Sequence, residues 1–198
     1  VISDPHEIAN VSGTTGLSYM IDEARHALMD IYYMLPSSVP ATSFEHAGAT
    51  LKAADLAPFT TDKQVLGLAE VMDFAAVLNG DDDMLAKIQL GLDHDMIIDG
   101  HAAGLNSKQI TGYRAANIHT DHECVSAEEA IERVTQGMYV LMREGSAAKN
   151  VRAILPAVTP QNARRFAFCT DDKHLDEIID EGTINASIKQ VIEEGIDP

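Results

Sequence analysis

The 198 residues carry 31 acidic side chains against 14 lysines and arginines, and the net charge of −17 sets aside binding of nucleic acid or an anionic membrane through a basic patch. A hydrophobic fraction of 45% with 23% charged residues is that of a globular domain able to bury one sizeable core, and it excludes disorder of the whole chain. No apolar run approaches the ~20 residues of a membrane span, and Cys124 and Cys169, alone and far apart, offer neither a CxxC pair nor a disulfide framework and suit a reducing cytosol.

The chain opens at Val1 with no methionine and no signal-peptide pattern, and reads as a piece of something longer. Short apolar runs then alternate with segments at helical spacing. The runs are Val1 to Ser3, Ile31 to Leu35, Val65 to Ala69, Met96 to Ile98, Ala116 to Ile118, Met138 to Met142 and Arg165 to Cys169, which makes seven predicted strands. Between them, helices are predicted over Thr15 to Leu28, Asp83 to Leu92, Ser107 to Ala115, Ser126 to Gln136 and Leu175 to Glu181. Ser126 is placed to cap its helix, with Glu129 at the reciprocal position of a capping box. Gly80 to Asp83 reads as a solvated loop leading into a helix. Strands alternating with helices imply parallel strands joined by crossovers, since parallel neighbours cannot be joined by hairpins.

The strand ends are ionisable almost without exception. Asp4-Pro5-His6-Glu7 follows the first run, Glu70 the third, Asp99-Gly100-His101 the fourth, Asp121-His122-Glu123 the fifth, Arg143-Glu144 the sixth and Asp171-Asp172 the seventh. A parallel barrel gathers such tips around one mouth, whereas an open doubly wound sheet collects ligands at one switch point, so the pattern favours a TIM-type (β/α)8 barrel. With about seven strands the barrel is incomplete, and residues 1–198 are read as one partial catalytic barrel domain.

His101 and His122 are the strongest metal candidates, since neutral imidazole suits divalent first-row metals and Glu70 can complete or bridge such a site. For a lone histidine the plainer reading is a cap or a core residue, but two on successive tips favour metal. Asp171 and Asp172 can divide labour between metal or water and substrate, the alternative being a helix N-cap. His6, Glu7, Glu123 and Glu144 stand at the same rim, where each can orient substrate or pair with Arg143 or Lys149. Glu45-His46 reads as surface loop, His26, His94, His119 and His174 as structural or exposed, and the methionines at 20, 29, 84 and 138 as core filler. No phosphate loop, GxGxxG, HExxH, GxSxG elbow or small-deaminase zinc signature occurs, and Ser146 has no evident base.

Taken in order, Asp4-Pro5-His6-Glu7-Ile8-Ala9-Asn10, Gly67-Leu68-Ala69-Glu70-Val71-Met72, Asp99-Gly100-His101-Ala102, Asp121-His122-Glu123, Met142-Arg143-Glu144-Gly145-Ser146 and Phe168-Cys169-Thr170-Asp171-Asp172 resemble the bacterial adenine deaminases of the amidohydrolase superfamily along essentially the whole chain. The resemblance implies a metal-bearing (β/α)8 barrel that hydrolyses adenine to hypoxanthine and ammonia for purine salvage; a cytoplasmic homo-oligomer is expected from the cysteine usage and from an open barrel edge that self-association would cover. It implies two divalent ions, manganese or iron before zinc, with Glu70 bridging them, His101 and His122 on the second, and Asp171 on the first and moving protons. Asp172 is then expected to face the imidazole nitrogen of the purine, with Glu123 and Glu144 as weaker purine contacts. The family's first strand with its His-x-His pair, and its smaller β-rich domain, are not in this sequence, so the piece alone is expected to be weakly active or inactive. Hydrolysis of a cyclic amide, or a non-catalytic oligomerising fragment, are the alternatives.

Overall fold

The computed structural model describes residues 1–196, which form two compact units: 1–101 with 112–118, and 102–111 with 119–196. In chain order the elements run β1 (Ile2–Ser3), α1 (His6–Ala24), β2 (Tyr32–Leu35), α2 (Ala53–Leu56), β3 (Val65–Val71), α3 (Phe74–Asn79), α4 (Asp82–Asp93), β4 (Ile97–Gly100) and α5 (Ser107–Ala115). They continue with β5 (Thr120–Asp121), α6 (Ala127–Thr135), β6 (Tyr139–Arg143), α7 (Val151–Ile154), β7 (Phe166–Cys169), α8 (Leu175–Asp180) and α9 (Ile184–Glu193). The architecture is α/β with every strand pairing parallel, in a sheet ordered β1-β2-β3-β4 and another ordered β5-β6-β7. No closed barrel forms among the described residues, in keeping with an incomplete TIM-type fold.

In the first unit β3 is the longest strand, and its near-continuous burial is that of a parallel strand covered on both faces. Gly67 sits opposite both Met34 and Ile97, and a Cβ there would run into the Ile97 carbonyl oxygen, so glycine sets the close approach of β3 to β4. α4 packs against β3 and β4, burying Met84 and Ile88 with Leu68 and Ile98. Gly80 ends α3 in the left-handed region at φ 74°, and the Asp81 carboxylate accepts from Met84 N–H at 2.9 Å to start α4. The expected solvated loop is thus a C-cap followed directly by an N-cap.

In the second unit Val140 and Met142 of β6 pack with Cys124, Ala130, Val151, Ile154, Ala157 and Val191. Ser126 caps α6 by accepting from Glu129 N–H at 3.3 Å, but the Glu129 carboxylate accepts from Val125 N–H at 2.8 Å, one residue before the position a capping box requires. A full reciprocal box stands at Asn106 and Gln109 before α5, with bonds of 3.0 and 3.1 Å.

Several expected boundaries move. The fifth strand is Thr120–Asp121, not Ala116 to Ile118: Asn117 turns left-handed at φ 65°, its N–H bonding back to Arg114, and Ile118 serves as a buried plug behind the helix end. α1 begins at His6 rather than Thr15 and is kinked at Gly13, whose φ of 61° and ψ of −143° are non-helical. It ends at Ala24, where i→i−3 bonds unwind the chain, leaving Leu28 and Met29 exposed; Met29 is therefore not core filler, whereas Met84 and Met138 are. Among the described residues no helix is long and apolar enough to cross a membrane.

Candidate metal centre

In the first unit the donors gather where β3 and β4 end. Glu70, buried near the end of β3, is fixed at its backbone carbonyl by the Ser37 hydroxyl at 2.6 Å, and Lys87 Nζ holds the Ser37 carbonyl at 3.0 Å. The Glu70 carboxylate meets His101 Nδ1 at 2.7 Å through one oxygen and His6 Nδ1 at 3.5 Å through the other. His101 N–H donates to the Tyr113 hydroxyl at 2.9 Å, and that hydroxyl donates to the Val71 carbonyl at 2.7 Å, so the fully buried tyrosine ties the histidine's backbone to the strand carrying Glu70.

Asp4 completes this group. Its Oδ2 lies 3.1 Å from His6 Nδ1, and Asp4, His6 and Glu70 offer donor atoms within 4.8 Å of one another. Both Asp4 oxygens are shielded from water, and neither accepts a hydrogen bond of ordinary geometry. Burial pushes the Asp4 carboxyl up to about 6 against the pull of His6, while the Asp4 contact raises the His6 imidazole to about 9 against its own burial. A cluster that draws positive charge this strongly, built from imidazole and carboxylate, fits a divalent first-row metal.

In the second unit His122, Glu123 and Asp171 likewise offer donor atoms within 4.8 Å of one another. His122 is buried, with Nε2 at 3.6 Å from Glu123 Oε1. Arg143, the last residue of β6, donates through Nη1 to Glu123 and to Asp171, the latter at 3.0 Å. Burial works against its charge, but the two carboxylates outweigh that and hold the guanidinium above its usual range. This donor set also fits a cation, although a guanidinium already engages two of its carboxylates. Asp171 sits at φ 52°, and neither it nor Asp172 caps a helix, because α8 starts at Leu175 with His174 as its N-cap.

Glu70, His101 and His6 thus come together in the first unit, and His122, Glu123 and Asp171 in the second. Glu7 lies in the first turn of α1, highly exposed and 3.8 Å from His6 Nε2. Asp172 is exposed, with its carbonyl accepting from Ser146 N–H at 3.3 Å. Glu144 turns to the start of α7, accepting from Val151 N–H at 3.2 Å, and so serves its own loop. Ser146 donates to Glu177 and accepts from His174 N–H at 2.8 Å, a structural arrangement. Glu45 and His46 are exposed, as expected of a surface loop, and His94 bonds to the Leu90 carbonyl of its own helix at 2.9 Å. Asp4, Ser37 and Tyr113 belong to this scaffold without having been assigned to it from the sequence. Asp4 carried a signal, being an acid at a strand tip two residues before a candidate histidine.

The model of the Amidohydrolase family matches residues 1–197. The chain is 65% identical over all of its 198 residues to the adenine deaminase of Lysinibacillus sphaericus, 56% identical to that of Bacillus pumilus and 54% identical to that of Bacillus subtilis, covering 34% of each of those proteins. It therefore spans about a third of the length of the curated relatives it matches. A match over nearly the whole chain, on a parallel α/β scaffold whose strand ends carry imidazole and carboxylate, places this chain in the amidohydrolase family.

Proposed function

We propose that this chain is the part of an adenine deaminase that carries most of its metal donors, in a protein that converts adenine and water to hypoxanthine and ammonia for purine salvage. The Glu70–His101 contact at 2.7 Å carries the reading, because it joins imidazole and carboxylate in a chain 65% identical to an adenine deaminase. Glu70 and His101 of the first unit and His122 and Asp171 of the second supply metal ligands, manganese or iron before zinc. A divalent metal bound there supplies Lewis acidity and makes water nucleophilic near neutral pH.

The chain's own groups do the rest. Asp171 takes a proton from the attacking water and delivers it to the departing ammonia, a role worth ~10² to 10⁴ in rate. Arg143, 3.0 Å away, aims that carboxylate. Asp172 faces the imidazole edge of the purine and Glu123 its ring, while Glu144 at most shapes the loop beneath. The protein acts as one partial barrel domain within a cytoplasmic homo-oligomer, to which the two free cysteines are suited.

The deciding assay, on a protein of the relatives' full length that contains this chain, follows hypoxanthine and ammonia from adenine beside ring opening of cyclic amides. Equimolar hypoxanthine and ammonia support the reading. Turnover of cyclic amides alone moves the chain to another reaction of the same family, and turnover of neither makes it a non-catalytic module.

A further inference from the structure

We propose that Asp121 and Arg133 form a buried clamp that positions the backbone next to both histidine ligands, and so govern metal capture without touching a metal. The inference rests on the metal reading above. Asp121, at the end of β5, and Arg133, on α6, are both fully buried. Asp121 Oδ1 accepts from the N–H of Ala102 at 3.0 Å and of Glu123 at 2.9 Å, and Oδ2 accepts from Arg133 Nε at 3.0 Å. Arg133 Nη2 closes the ring by donating to the Ala102 carbonyl at 2.9 Å. Ala102 directly follows His101, and Glu123 directly follows His122. One carboxylate and one guanidinium therefore hold both polar groups of the residue after the first histidine and the amide of the residue after the second.

The energetics point the same way. A buried ion pair is a poor way to gain stability, since apolar side chains of similar volume often serve as well or better. Apolar side chains cannot grip an amide and a carbonyl, however, and the planar fork of arginine can serve two acceptors at fixed spacing where an ammonium is a single point. The helix itself shows the preference, because Arg133 is buried while Ile131 of the same helix stays 49% exposed.

The test uses Mn²⁺ titrated calorimetrically into the metal-free chain. Arg133→Lys and Asp121→Asn should each weaken Mn²⁺ binding ~10- to 100-fold, the usual consequence of losing a group that orients a ligand, with unchanged far-ultraviolet circular dichroism. Ile154→Val, a core change in the same unit, should lower the melting temperature and leave Mn²⁺ affinity unaltered, separating positioning from general stability. In the wild-type metal-free chain the Ala102 and Glu123 amides should resist hydrogen exchange, a readout that needs no variant to fold. Folded variants binding Mn²⁺ as the wild type does, or unprotected amides at both positions, would overturn the clamp alone. A wild type that binds no Mn²⁺ would overturn the metal reading and the proposal with it.

Discussion

His101 Nδ1 lies 2.7 Å from Glu70 Oε2, and two hydrogen bonds through the Tyr113 hydroxyl, of 2.9 and 2.7 Å, lock the histidine's backbone to the strand that carries the glutamate. Imidazole and carboxylate are thus presented together by the scaffold before anything binds, and little ordering entropy is left for a metal to overcome.

Removing a donor should therefore be felt in metal affinity. His101→Ala and His122→Ala are each expected to lower bound Mn²⁺ sharply in metal analysis after dialysis. His94→Ala, which removes an exposed ring bonded only to the Leu90 carbonyl at the end of α4, should leave it unchanged.

The Asp4–His6 contact sets a pH dependence in the metal-free chain. His6 has its folded pKa raised from 6.5 to about 9, so its contribution to stability is complete below pH 6.5 and is lost as pH rises through 9. Asp4, raised from 3.8 to about 6, adds a loss of stability between those two values. Proton NMR should find the His6 ring titrating near 9, and Asp4→Asn should bring it down towards 6.5.

Arg143 bridges Glu123 and Asp171 in a half-sheltered setting. Arg143→Met leaves two carboxylates facing each other without a cation, and should cost about 1.5–3 kcal/mol, the scale of hydrogen bonds to charged groups. Urea unfolding followed by circular dichroism measures it.

Gly67→Ala places a methyl group against the Ile97 carbonyl. Because that neighbour is backbone within a sheet, the strain cannot be relieved by a rotamer change, and a loss of about 1–3 kcal/mol is expected. A thermal melt of the variant checks this.

The parallel α/β plan and the placing of Glu70, His101 and His122 at strand ends were legible because an ionisable residue closing an apolar run is a local signal. Arg133 was not legible, since its burial depends on Asp121, 12 residues earlier, and helical periodicity alone would turn Ile131 inward instead. Thr120–Asp121 was missed because the apolar Ile118 reads as strand, while the left-handed Asn117 that makes it a helix terminus is a conformation no periodicity reports. Asp171 stands out in the sequence as an acid just past an apolar run, but its partner Arg143 lies 28 residues away at the end of β6, and only the folded chain brings them to 3.0 Å.

The central claim, that these donors serve a metal-dependent deamination of adenine, is tested most directly in a protein of the relatives' full length that contains this chain. It is stripped with a chelator, reloaded with Mn²⁺ and assayed for hypoxanthine from adenine, beside its His101→Ala and His122→Ala variants. The account predicts turnover that vanishes on stripping, returns with Mn²⁺ and fails to return in either variant. Hypoxanthine formation indifferent to the chelator, or fully restored in both variants, would contradict it.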